Sequence, residues 1–477
     1  MSERDKQKES RRDDFRIDSR ESIPNHEEKK RYFRKDDVKM MNKKNMKKIA
    51  AAVLTAITLT APLSAEAHFL SSRQEKAIGN QAVADFQKKY ATFEDPILTH
   101  IQDRLMKFNS DKLWFYGTPG HKRGLERVLR ARNDEINAIS YGGGQIFVYD
   151  GEFDLLACRQ LGQAYSDKRY QNPWVKSNIY QMSAMAAVVG HEIGHWENED
   201  MLRQHDKQMG TRILASLIPV GNVWAALGVA AGTNLINAFN SRQMGFRTEQ
   251  QADEKAMEYC ERVPEYSIGG QAICEYRTYQ FKVLRGTENH VDWLHPHSKS
   301  AKRLERALKE QEKQSHGFFV WKGINVSIDD RDQGNIMGFD EAGYYGKERE
   351  FYVFGQLATS IKYDFCRERN IEFHPENEVF TDGSARNTVA IMRGHGTDGK
   401  EHWKVIDTYR NTSAQQLKSV LAMTPDEAIK KWESMTGEQQ NFVAVRCSVA
   451  WYEQNRMKYK YNKEYMDEKP AEEEREA

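Results

Sequence analysis

Gln181-Met182-Ser183-Ala184-Met185-Ala186-Ala187-Val188-Val189-Gly190-His191-Glu192-Ile193-Gly194-His195-Trp196 is the stretch on which the reading of this chain turns. It is rich in Ala, Met and Val and carries no proline, so a helix is predicted over Gln181 to Trp196. Positions i and i+4 share one helical face. His191 and His195 therefore present their imidazoles side by side, where a single metal ion accepts both. Glu192, one residue after the first His, points toward the same cleft, placed to take a proton from a polarised water and hand it to a departing amine.

Zinc suits such donors, takes a third protein ligand and keeps one position open. Glu197 and Glu199 compete for that place but lie too close to His195 on the same helix. Glu249, in Arg247-Thr248-Glu249-Gln250-Gln251-Ala252-Asp253, opens a further predicted helix, Glu249 to Cys260. Asp253 shares its face and is placed to fix the tautomer of a ligand His through the free ring nitrogen.

Upstream of the decisive helix, Ser71-Ser72-Arg73-Gln74-Glu75 reads as a helix start with Ser72 as cap and Glu75 three residues on. A second helix is predicted from Pro96 to Phe108. Leu113 to Tyr116 and Ile136 to Tyr149 read as strands, the latter turning at Gly142-Gly143-Gly144. Downstream, Ile213 to Phe239 is a long apolar stretch broken by Pro219 and several Gly and Asn residues. Two readings stand: a buried or substrate-covering helical hairpin, or a segment that makes peripheral membrane contact or acts as a gated plug over the site. Lys299 to Lys313 is a further predicted helix.

A boundary is expected near Ser315-His316-Gly317. Beyond it, strand-like runs (Phe318 to Trp321, Asn387 to Met392, Trp403 to Ile406, Phe442 to Cys447) mix with helix-like ones (Phe351 to Glu368, Ala414 to Leu421, Pro425 to Met435). They predict a small C-terminal α+β domain of unknown role over 317–453. A charged tail, 454–477, follows.

The first 45 residues form a charged leader, disordered by composition. Residues 46–67 read as a signal peptide. Lys43, Lys44, Lys47 and Lys48 precede the apolar run Ile49 to Ala61, and Ala65-Glu66-Ala67 supplies a cleavage site before His68. Met40, Met41 and Met46 are alternative starts, and the rival reading is an uncleaved signal anchor. Export permits disulfides. Of the five cysteines, Cys158, Cys260, Cys274, Cys366 and Cys447, the pairs Cys260–Cys274 and Cys366–Cys447 are the expected bridges. The formal net charge of +1 gives no field for nucleic acid.

These motifs resemble the HtpX/Oma/CAAX-prenyl-protease (Ste-type) family of gluzincin zinc metallopeptidases, in its soluble periplasmic branch. The resemblance covers roughly residues 70 to 310. It is carried by Ser72 to Gly79, by Ile136-Asn137-Ala138 with Gly143 to Val148 and Gly151, by the His191–His195 motif, by Glu249 to Asp253, and by His295-Pro296-His297 through Leu304. It implies one Zn2+ held by His191, His195 and Glu249, with Glu192 catalytic and Asp253 behind the ligands. Where the family carries Pro-Gly-Gly, this chain has Tyr141-Gly142-Gly143-Gly144. The family places an Arg six residues after a His, which fits His297 with Arg303 better than His295. The resemblance then sets His297 or Arg303 near the metal, to stabilise an oxyanion or regulate the site, with helix-cap and salt-bridge duty as the rival.

The strand Gly144 to Tyr149 is expected to bind substrate by backbone pairing, through Asn137, Gly144, Ile146 and Val148, unless it is an interior strand. The expected fold is α+β: a mainly helical zincin-like metallopeptidase domain (68–314) with a small β-sheet, and the C-terminal α+β domain. The expected function is an exported, periplasmic zinc-dependent metalloendopeptidase acting on unfolded or extended polypeptide, in quality control of misfolded envelope proteins. The alternative is a chaperone-like envelope assembly factor with a masked zinc site. A hydrolase of non-peptide substrates is the weaker third reading.

Overall fold

The computed structural model describes residues 71–157, 179–203, 246–286, 300–332, 346–380 and 383–466, all within one unit that begins at His68. The expected leader and signal peptide, Cys158, the stretch 213–239, His295 and His297 lie outside the described residues. Helix α1 (Ser72–Lys89) is capped by Ser71, whose side chain accepts from the Gln74 N–H while the Gln74 side chain accepts from the Ser71 N–H. The cap falls one residue before the expected Ser72, because Glu75 is needed inside: it is buried and receives Arg123. Helix α2 (Pro96–Phe108) follows an Asp95 cap with proline at its first turn.

Four strands form the first sheet in the order β1-β2-β4-β3: β1 (Thr92–Phe93), β2 (Arg127–Ala131), β3 (Ala138–Tyr141) and β4 (Gln145–Tyr149). Phe147 and Tyr149 of β4, with Leu129, Ala131, Ile139 and Tyr141, pack against Ala82, Val83 and Phe86 of α1. Ile146 and Val148 face the other way, into the main core with Leu98, Ile101 and Leu105 of α2. Because both faces are covered, β4 shows no apolar–polar alternation. Leu113 to Tyr116, expected as a strand, makes only one bridge, Phe115 to Leu125. Strand β2, one of those that sequence reading passed over, is broken up by arginines; Arg130 is nevertheless buried, donating to Asp150 at 2.5 Å and reaching Asp95 at 3.4 Å.

The helical layer consists of α3 (Asp150–Ala157), α4 (Ile179–Glu197), α5 (Phe246–Arg262), α6 (Gly269–Leu284) and α7 (Ser300–Gln314). Helix α4 is the central one and packs on α5, α6 and β3. Helix α6 was hidden by its opening Gly269-Gly270, which reads as a turn.

After α7 come the meander β5 (Val320–Lys322), β6 (Asn325–Ile328) and β7 (Arg331–Asp332), then α8 (Gly346–Lys362). A second antiparallel sheet, β8 (Ile371–Pro375), β9 (Thr388–His395) and β10 (Glu401–Tyr409), is followed by α9 (Ala414–Leu421), α10 (Pro425–Lys430) and α11 (Gly437–Lys460). Phe442 to Cys447, expected as a strand, lies inside α11. A Thr436–Gln439 capping box starts that helix, and core burial of Phe442, Val443 and Val445 outweighs their β preference. Past Gln454 the helix continues, with Tyr459 buried and Lys460 on Asp364 at 2.9 Å.

One apolar cluster runs from Leu98 to Tyr459 and includes residues on both sides of 315. Two polar anchors on β10 reinforce it. Lys404 Nζ donates to the carbonyls of Glu261, Val263 and Tyr266 at 3.0, 2.7 and 2.8 Å, gripping the end of α5. Asp407 accepts from Tyr180 of α4 at 2.6 Å and from Arg349 of α8 at 2.7 Å.

The expected bridges do not form: Cys260, Cys274, Cys366 and Cys447 are free thiols. Cys274 instead directs its sulfur to Glu152 at 3.8 Å, and Cys260 sits in the apolar core. Among the described residues no helix is long and apolar enough to cross a membrane. The architecture is the expected α+β, mainly helical with small sheets.

Candidate metal centre

Two pairs of small residues bring the ligand helices together. A Cβ on Gly194 would lie 3.1 Å from the Ala252 carbonyl oxygen and 3.2 Å from the Ala252 Cα; one on Gly190 would lie 3.2 Å from the Ala256 Cα. Gly190 and Gly194 are one turn apart, as are Ala252 and Ala256, so α4 and α5 meet along a stripe without bulk. Glu249 is thereby carried to the two imidazoles of α4.

The donor atoms converge. His191 Nε2 and His195 Nε2 are 3.0 Å apart, and Glu249 lies 3.4 Å from the first and 3.5 Å from the second. Four-coordinate ligands at ordinary zinc distances lie roughly 3.3 Å from one another, so the spacing fits one such ion. All three residues are buried, and among the described residues they are the group of His, Cys, Asp and Glu able to hold a metal ion.

The outer nitrogens are also engaged. His191 Nδ1 is 2.9 Å from Asp253, and His195 Nδ1 is 2.8 Å from Asp200. A ring nitrogen facing a carboxylate carries the proton, which turns both Nε2 lone pairs inward. Two lone pairs and a carboxylate at such distances require positive charge between them. Burial opposes charge on His195, but Asp200, Glu249 and Glu192 overcome it and push the imidazole up to about 10. The same field favours a divalent cation.

The residues expected from sequence separate into three groups. His191, His195, Glu249, Glu192 and Asp253 come together, Glu192 being buried beside the ligand pair. Arg303 lies behind them. Its Nε donates to Asp253 at 3.0 Å, and its Nη1 is 2.9 Å from Glu275. Through these contacts it stands on the Nδ1 side of His191, behind Asp253, a position in keeping with the salt-bridge duty that was the rival to an oxyanion or regulatory role. Burial opposes ionisation of Asp253, yet Arg303 and His191 hold its carboxyl well below the usual carboxylate range.

The substrate-pairing residues are also corrected. Strand β4 is interior, parallel to β2 and antiparallel to β3, so both of its edges are taken. The Asn137 carbonyl accepts from the Tyr149 N–H at 3.0 Å and the Gly144 carbonyl from the Glu126 N–H at 2.7 Å. Ile146 and Val148 are fully enclosed. Gly144 is a glycine for a local reason: its φ is +81°, and a Cβ would meet the Gly124 oxygen at 2.3 Å. The edge strand of the described sheet beside α4 is β3, whose four residues are themselves buried.

Asp200 was missed. Its signal, an acid five residues beyond His195, points off the histidine face of any continuous helix. The competing acids are occupied elsewhere: Glu197 with Lys255 at 3.1 Å and Glu199 with Arg123 at 2.9 Å.

A buried carboxyl, Glu152 of α3, completes the polar surroundings. Burial first, and the nearby Glu275 second, push it up to about 7 from 4.5. A raised folded-state value means its contribution is fully present below 4.5 and lost as pH rises through about 7. In chelator-treated protein, Glu152→Gln should leave stability unchanged near pH 4 and raise it by about 3 kcal/mol near pH 8. Urea unfolding at the two pH values measures this; equal stability of the two chains at the higher pH would contradict it.

Comparison with known families matches residues 113–311 to Peptidase family M48. That span contains every described residue of the centre. No curated protein matches the chain.

Proposed function

We propose, for a chain whose residues 113–311 belong to Peptidase family M48, that this metallopeptidase is a zinc endopeptidase cleaving extended polypeptide. The observation that carries the reading is the three-donor cage of His191, His195 and Glu249, with Glu192 beside it. A zinc ion bound there would supply Lewis-acid polarisation of the scissile carbonyl and of the attacking water. Glu192 takes the proton of that water and passes it to the leaving amine nitrogen. Asp253 and Asp200 hold the imidazoles in the tautomer and orientation that present Nε2.

Substrate is held by β3. The Tyr149 N–H bonds Asn137, which sets the alternation of the hairpin and turns the backbone groups of Ala138 and Ser140 away from β4. An extended peptide pairing there lies alongside α4, and backbone pairing tolerates many sequences. Ser140→Pro removes one outward N–H from an edge strand. It should raise KM for casein about fivefold with kcat nearly unchanged, the net worth of one hydrogen bond. An unaltered KM would exclude β3 as the substrate edge.

Backbone pairing on an edge strand takes extended chain, which supports a role in quality control of exported proteins, with the sequence 46–67 as export signal. The test is cleavage of casein against a stably folded protein, before and after chelation and with zinc restored. Cleavage that persists after complete removal of the metal would overturn the zinc reading.

A further inference from the structure

We infer that Arg123 is a positioning residue for the metal centre: it holds Glu199 in a left-handed turn, and that turn delivers Asp200 to the outer nitrogen of His195. The inference rests on His195 being a ligand and adds what keeps that ligand aimed.

Helix α4 ends at Glu197, after which the Asn198 N–H still bonds the Gly194 carbonyl at 2.9 Å and the Glu199 N–H bonds the Trp196 carbonyl at 3.2 Å. Glu199 then takes a φ of +59°. The Arg203 N–H bonds the Glu199 carbonyl at 2.9 Å, beginning a new turn whose first residue is Asp200. Had the helix continued, residue 200 would have pointed well away from the face of His195. The reversal at Glu199 brings it back, buried, with Oδ2 2.8 Å from Nδ1. A side chain resists this backbone conformation, which glycine adopts freely.

Arg123 supplies the restraint. Its Nη1 donates to Glu199 at 2.9 Å, and its Nη2 donates to the Trp196 carbonyl at 2.9 Å. Its Nε and Nη2 donate to Glu75 of α1 at 3.0 and 2.9 Å, and the guanidinium lies 5.1 Å from the Trp196 ring centroid. One side chain thus ties the residue at the turn, the carbonyl just before it and a neighbouring helix. A fork of fixed donors does this where a lysine ammonium does not.

The test is the Zn2+ dissociation constant of the full chain, read by competition with a chromophoric chelator. Glu199→Gly and Glu199→Val both remove the carboxylate, but only glycine accepts the positive φ. E199G should bind zinc within about threefold of the unaltered chain, and E199V about tenfold or more weakly, as for loss of a ligand's supporting carboxylate. R123Q should weaken zinc by about tenfold, and adding E199G to it should restore most of the loss. A purely structural role for Arg123 does not produce that rescue. Equal affinities for E199V and E199G, or a double variant as weak as R123Q, overturn the inference. Zinc retained by His195→Ala overturns the reading of the centre itself; loss of zinc in that variant leaves any failure specific to Arg123 and Glu199.

Discussion

Glu192→Gln should bind zinc as the unaltered chain does and cleave casein about a thousandfold more slowly. The amide keeps the size of the carboxylate but has no basic oxygen to receive the proton of the attacking water. Glu192 is not one of the three residues whose donor atoms converge, so the ion is unaffected. Metal content and casein hydrolysis on one preparation decide the matter. Full cleavage removes Glu192 as the base, and loss of zinc makes it a ligand instead.

Gly194→Val should cost zinc affinity about a hundredfold, comparable to losing a group that supports a ligand, although residue 194 supplies no donor atom. A Cβ at this position already sits at 3.0 Å from the Lys255 Cβ and 3.1 Å from the Ala252 oxygen, and the branched methyls go further. Backbone cannot give way as a flexible side-chain end can. Helices α4 and α5 must part, carrying Glu249 from the imidazoles, and overpacking of this kind also costs about 1–3 kcal/mol of stability. Competition titration and urea unfolding read the two effects separately. A variant that binds zinc normally would show that the helices do not depend on this contact for their spacing.

Those small residues were visible in the sequence, within the His191–His195 motif and before Asp253, yet their purpose was not. Spacing on a helix reveals which side chains share a face, so His191, His195, Glu249 and Asp253 were legible. It does not reveal what happens when a helix stops. Asp200 reaches His195 only because Glu199 turns left-handed, and nothing local in Asn198-Glu199-Asp200 announces that. Strand β4 was legible as a strand, but its partners were not: β2 carries two arginines, and of these Arg130 is buried only through its pairing with Asp95 and Asp150 while Arg127 is exposed. With β2 overlooked, β4 looked like an edge. The apolar run at Phe442 misled in the opposite way, since its β preference is local and the cap at Thr436 and the core behind it are not.

The anchors on β10 bear on the order in which the protein is made. Lys404 closes the end of α5 and Asp407 holds the start of α4, so both ligand helices are fastened by residues about 150 or more positions beyond Glu249. A nascent chain that has emerged only as far as residue 311 possesses every described donor atom of the centre but neither fastening. The last third of the chain is thereby part of the scaffold that holds the two ligand helices.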